Sequence, residues 1–243
     1  MATMKEKKHN TVKGTTNEEH NEYEVFESAE ILQDRLVESQ DFFEKNKNVV
    51  LVVLGVVVAA IAGYFLYGVN IEKQNTEAQA ELSPAVFYFE KDSLGKALNG
   101  DGNLTGGFLE IADEYSGTKA ANLANYYAGV SFMRLGEYEK AISHLEAFSA
   151  KDELVQARAF ALVGDANVEL EAYSKAISAY KEAISYKPNK EFTPSYMMKL
   201  AFTYEAAGDN AKALDTYNDL IAKYPKAQEV NDAKKFAAVL AAK

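Results

Sequence analysis

Three stretches of the chain carry one pattern of small and aromatic residues, starting at Asn122, Ala157 and Pro194, spaced 35 and 37 residues apart. A unit of this length is one helical hairpin that cannot bury its apolar face alone. Successive units must therefore stack, and the fold must be an open helical array. The first unit supplies Gly129, Phe132, Gly136, Tyr138, Ala141 and Leu145, the second Gly164, Tyr173, Ala176, Tyr180, Ala183 and Pro188, and the third Ala201, Tyr204, Gly208, Ala213, Tyr217 and Pro225. Gly129, Gly164 and Ala201 recur where the second helix of each hairpin has to approach the first closely. Residues 226–243 have the pattern of a terminal solvating helix that caps the stack.

The pattern resembles the tetratricopeptide repeat, and the resemblance covers residues 121–225. Asn125, Asn167 and Asn210 depart from it, standing where aromatic residues are typical. The resemblance implies a concave surface lined by positions 2, 5, 9 and 12 of each unit. These are Leu123, Tyr126, Val130 and Met133, then Arg158, Ala161, Asp165 and Val168, then Ser195, Met198, Phe202 and Glu205. A groove built from Leu123, Tyr126, Val130, Met133, Arg158, Asp165, Met198, Phe202 and Glu205 would suit apolar side chains of an extended or helical partner segment. Tetratricopeptide domains that clamp the C-terminal carboxylate of cytosolic chaperones use Lys and Asn at positions 5 and 9 of their first unit. Here those positions are Tyr126 and Val130.

From Val49 to Val69 the sequence VVLVVLGVVVAAIAGYFLYGV is uncharged for 21 residues. A helix of that length spans roughly 30 Å of hydrocarbon, so the spacing predicts one transmembrane helix over 49–69. Arg35, Lys45 and Lys47 precede it and only Lys73 follows closely, which predicts a cytoplasmic N-terminus and an exported repeat domain. Gly55, Ala59 and Gly63 form a small-residue stripe along the span, a candidate packing face for a second helix.

Residues 1–22 are polar without periodicity and are expected to be a disordered cytoplasmic tail. Phe26, Ala29, Leu32, Leu36 and Phe43 predict an amphipathic helix within 23–48, and the net charge of −4 before the span favours a protein surface or plain solvent over anionic lipid. Residues 70–120 are expected to form a helical stalk and the N-terminal helices of the exported domain, with Pro84 kinking or restarting the stalk and Ser83 as its N-cap.

The overall net charge of −10 excludes a field that attracts phosphate backbones, so no nucleic-acid partner is expected. With no cysteine there is neither disulfide, thiolate nucleophile nor Cys-ligated metal. His9, His20 and His144 lie far apart, and no hydrolase, metalloprotease or phosphate-loop motif occurs. Asp101, Asn103, Thr105 and Gly106 begin like a calcium loop, but position 12 is Ala112 instead of the bidentate Glu, which favours a turn. No catalytic residue, cofactor or metal is expected, and the chain is read as a non-enzyme.

The order of parts, an acidic N-terminal helix, one span, a helical stalk and three repeats, is similar to the YfgM-type ancillary subunits of the bacterial Sec translocon. Most of that resemblance lies between Phe87 and Phe148. It implies a single-pass inner-membrane protein with periplasmic repeats, associated with the SecYEG translocon and the periplasmic chaperone PpiD, that assists exported unfolded polypeptides. The alternatives are an envelope or cell-division scaffold and a mitochondrial outer-membrane preprotein receptor. The fold expectation is all-α: a single transmembrane helix followed by a tetratricopeptide-repeat solenoid.

Overall fold

A single helix, α1 (Lys47–Glu90), contains the whole apolar run. The computed structural model describes residues 44–102 and 106–242, so the tail over 1–22 and most of the helix expected over 23–48 lie outside the described residues. Two units divide the chain, residues 1–63 and 64–243. In the first, the α1 side chains from Leu51 to Ile61 are exposed, and a Cβ added to Gly55 or Gly63 would meet nothing within 4 Å. This is the one described helix long and apolar enough to cross a membrane.

In the second unit α1 runs through Pro84 without ending. Proline removes one hydrogen bond to the carbonyl four residues back, and that residue, Ala80, is exposed, where water can replace the lost donor. Ser83 is therefore not an N-cap. Its hydroxyl donates back to the Gln79 carbonyl at 3.3 Å. This part of the helix packs on its neighbours: Ala78, Leu82 and Ala85, at helical spacing, are buried with Phe108, Ile111, Ala120 and Ala124.

The short helices α2 (Leu94–Asn99) and α3 (Phe108–Glu114) fold back on α1 and lead into α4 (Lys119–Leu135). The start of α4 is held twice. Thr118 Oγ1 accepts from Ala121 N at 3.1 Å, and Asn75 Oδ1 of α1, almost fully buried, accepts from Ala120 N at 3.0 Å. Two orphan amides of the first turn are satisfied, one of them by another element. Tyr115 donates to Glu81 Oε1 at 2.8 Å, and this bond to a carboxylate pushes the phenol up to about 12.

Three hairpins follow: α4 with α5 (Tyr138–Ala147), α6 (Glu153–Glu169) with α7 (Tyr173–Ser185), and α8 (Thr193–Ala206) with α9 (Asn210–Lys223). The last helix, α10 (Val230–Ala241), lays Val230, Ala233, Ala237 and Leu240 over the end of the stack. No strand occurs among the described residues. Helix α6 contributes Ala159 and Val163 to the core on one side and Ala157 and Ala161 to the core on the other, so it carries no continuous polar stripe.

The close approach within hairpins is measurable at the small residues. A Cβ on Gly129 would lie 2.6 Å from Leu145 Cγ, and one on Gly164 would lie 2.6 Å from the Tyr180 ring. Each hairpin turns through a left-handed residue: Gly136 at φ 75°, Glu171 at φ 56° and Gly208 at φ 80°. The amide after each bonds to a carbonyl of the preceding helix, as in Glu137 N to Phe132 O at 2.9 Å and Ala172 N to Asn167 O at 2.8 Å. Only the second turn places a side chain in this conformation, which costs about 1–2 kcal/mol. Glu171→Gly removes that strain, and the extra freedom of glycine in the unfolded chain offsets about half of it. The expected result is a net gain of up to about 1 kcal/mol, read as a higher urea midpoint at unchanged slope.

Candidate functional site

A groove of about 570 Å³ crosses the first helices of the three hairpins, α4, α6 and α8. Four of the nine groove residues expected from the sequence line it: Leu123, Tyr126, Arg158 and Asp165. Leu123 and Arg158 are exposed, and Tyr126 is half-buried with its ring 5.1 Å from Phe148. Burial raises the Tyr126 phenol, and the nearby Arg158 guanidinium opposes that shift.

The other five lie elsewhere. Val130 and Met133 are half-buried farther along α4, Met133 against the N-terminal core. Met198 is 8% exposed and belongs to the C-terminal core. The reason is that α8 is covered on most of its circumference, leaving Ser195, Lys199, Phe202 and, at its C-terminal end, Glu205 and Ala206 as a less buried stripe. Phe202 meets the capping helix, edge-on to Phe236 at 5.0 Å, while remaining 42% exposed. Glu205 accepts the Tyr217 hydroxyl at 2.6 Å.

Asp165 is similarly engaged. Its Oδ1 accepts the Tyr180 hydroxyl at 2.6 Å, and Lys199 Nζ reaches Oδ2 at 2.6 Å and Oδ1 at 2.7 Å. In the second and third hairpins, therefore, a tyrosine of the second helix donates to a carboxylate of the first. Asp165 and Glu205 hold the hairpins shut, and the Asp165 charge is balanced inside the array.

Burial, reinforced by the hydrogen bond to Asp165 or Glu205, pushes the Tyr180 and Tyr217 hydroxyls far above the ordinary value of 10.0. A folded-state value raised above the unfolded one means that the folded chain holds its proton longer. The stabilisation is complete below about pH 10 and lost as pH rises beyond it. Melting temperature is expected to fall steeply above about pH 10, and Tyr180→Phe should flatten the decline while lowering stability at neutral pH by about 1 kcal/mol.

Groove residues that positions 2, 5, 9 and 12 miss include Tyr127, Leu162 and Lys199, all at position 6, together with Leu154, Tyr196 and Phe192. Plain helical geometry reaches position 6, because residues i, i+3, i+4 and i+7 share one face, and positions 2, 5, 6 and 9 are such a set. Leu154 and Phe192 precede the repeat starts, so a register that begins at Ala157 and Pro194 cannot include them. His144 is half-buried, stacks on Phe132 at 5.5 Å and lies 2.8 Å through Nδ1 from Asn125 Oδ1, and burial lowers its pKa. Among the described residues no group of acidic or imidazole side chains is arranged to hold a metal.

A family model described as tetratricopeptide repeat matches residues 123–152 and 195–227, and a second model of the same description matches 157–190. The crystal structure of MamA protein is 19% identical, with 70% of this chain and 87% of that one covered and a TM-score of 0.49. Two crystal structures of nearly identical TPR-like repeats from a Podosopora anserina putative kinesin light chain are 11% identical. In one, a point variant, 68% of this chain and 85% of that one are covered at a TM-score of 0.53, and in the other 68% and 86% at 0.51. The latter two likenesses establish the helical-repeat fold. No curated protein sequence matches.

Proposed function

We propose that this chain, an array of tetratricopeptide repeats with one apolar helix long enough to span a bilayer, is a membrane-anchored adaptor that holds polypeptide segments in the groove across α4, α6 and α8. The observation that carries the reading is that this groove stays open and keeps large apolar side chains in solvent: Leu123 is 36%, Leu154 43% and Phe192 40% exposed. Repeat arrays serve protein–protein interaction through such extended surfaces. Arg35, Lys45 and Lys47 before the apolar run support an N-terminus in the cytoplasm and repeats in the periplasm of a bacterial inner membrane. In that setting the adaptor sits beside the SecYEG translocon with a PpiD-like chaperone and receives exported chains as they emerge. The exposed Gly55, Ala59 and Gly63 stripe is its contact with a partner helix in the bilayer.

The test is photo-crosslinking of the full-length protein in native membranes, with the photoreactive residue at position 123, 154 or 192. Crosslinks to exported chains, the chaperone or the translocon are expected from all three positions, with little from Lys175 on α7. Crosslinks confined to cytoplasmic proteins would sink the orientation and the translocon assignment together. Equal yields from Lys175 would move binding off the groove.

A further inference from the structure

Each first helix contributes an exposed apolar side chain and, one turn later, a polar one. The pairs are Leu123 and Tyr126 on α4, Leu154 and Arg158 on α6, and Phe192 and Tyr196 at the start of α8. Two rows therefore cross the array, an apolar row of Leu123, Leu154 and Phe192 and a polar row with Arg158 at its middle. Arg158 is exposed and pairs with no carboxylate among the described residues. Asp165, which shares the groove, is already taken by Tyr180 and Lys199. The hydroxyls of Tyr126 and Tyr196 likewise find no hydrogen-bond partner among the described residues. Arg158 is close enough to both to favour their ionised forms against the opposing effect of burial.

We infer that the groove recognises one acidic side chain set within an apolar stretch of its partner polypeptide, received by Arg158 between the Tyr126 and Tyr196 hydroxyls. The inference rests on the reading of the groove as a polypeptide site and adds the chemistry of what it selects. A guanidinium and two phenolic donors match the acceptors of one carboxylate. Arg158 lies on the middle helix, with apolar side chains on the helices at either side, so the acid must be flanked in both directions and is internal to the partner segment. A run of acids is disfavoured, because the residues that follow the apolar run carry a net negative charge of their own and the groove offers one unpaired cation.

The experiment uses the full-length protein in detergent micelles and fluorescent nonapeptides of leucines and serines around a central residue. One peptide has a central glutamate and blocked ends, one a central glutamine and blocked ends, and one a central glutamine and a free C-terminal carboxylate. The glutamate peptide is expected to bind about ten-fold more tightly than its blocked glutamine counterpart. Arg158→Gln should bring that ratio close to one without moving the melting temperature, while Leu154→Ser should weaken both blocked peptides and preserve the ratio. A ratio unchanged by Arg158→Gln overturns the inference, and if Leu154→Ser still weakens both peptides the groove reading stands without it. Equal affinity for the free-ended glutamine peptide and the blocked glutamate peptide also overturns it, because the acid would then be a chain terminus. If no peptide binds, or neither variant changes binding, both the inference and the groove reading fall.

Discussion

Replacing Phe108 by Ala is expected to cost about 3–5 kcal/mol and to loosen the first layer of the array, the range for removing a fully buried aromatic side chain. Phe108 is 0% exposed, stacks on Tyr127 at 5.3 Å and meets Phe89 edge-on at 6.2 Å. One ring thus joins α1 to α4 through the start of α3. The site has little room to collapse, since even a Cβ on neighbouring Gly107 would lie 2.1 Å from the Leu98 carbonyl oxygen. Urea denaturation and hydrogen exchange of the full-length protein in micelles read the effect. The midpoint should fall, and amides from Ala78 to Glu90 should lose protection before those of α8 and α9. Unchanged protection there would mean that α1 holds its fold without the Phe108 contact.

Gly164→Val is expected to destabilise by about 3 kcal/mol, at the upper end of overpacking costs. The added carbons enter the space of the Tyr180 ring, which is 2% exposed and anchored through its hydroxyl to Asp165. Relief requires the ring to move and that hydrogen bond to be lost. Gly95→Ala in α2 is the control: its Cβ meets nothing within 4 Å, and the expected result is no loss, or a gain of up to about 1 kcal/mol from helix propensity. Thermal melting separates the two, and similar small effects at both sites would refute the close-approach account of the hairpins.

The repeating unit was legible because its cause is local. Gly129, Gly164 and Ala201 are small for a steric reason that recurs, and Tyr180 and Tyr217 fill the space beside them. What the sequence did not disclose depends on partners distant along the chain. Met198 reads as a groove residue until α8 is seen to be covered on most of its circumference, and nothing in the repeat pattern pairs Asp165 with Tyr180 or Glu205 with Tyr217. Pro84 reads as a break because proline usually is one, yet the exposed Ala80 lets the helix continue. Asn75 has no local signal at all, since its partner is an amide 45 residues later.

The connection between the second and third hairpins, residues 186–192, is two residues longer than the equivalent 148–152, which accounts for the wider repeat spacing. Asn189 folds the excess into a tight local knot, its Oδ1 accepting from Glu191 N at 3.0 Å and Phe192 N at 2.9 Å while its own amide donates to Thr193 Oγ1 at 2.9 Å. The extra length thus leaves the helix-on-helix fit alone and delivers Phe192 to the rim of the groove. In such an array, insertions between hairpins become a vocabulary for selectivity, written independently of the grammar that keeps the hairpins stacked.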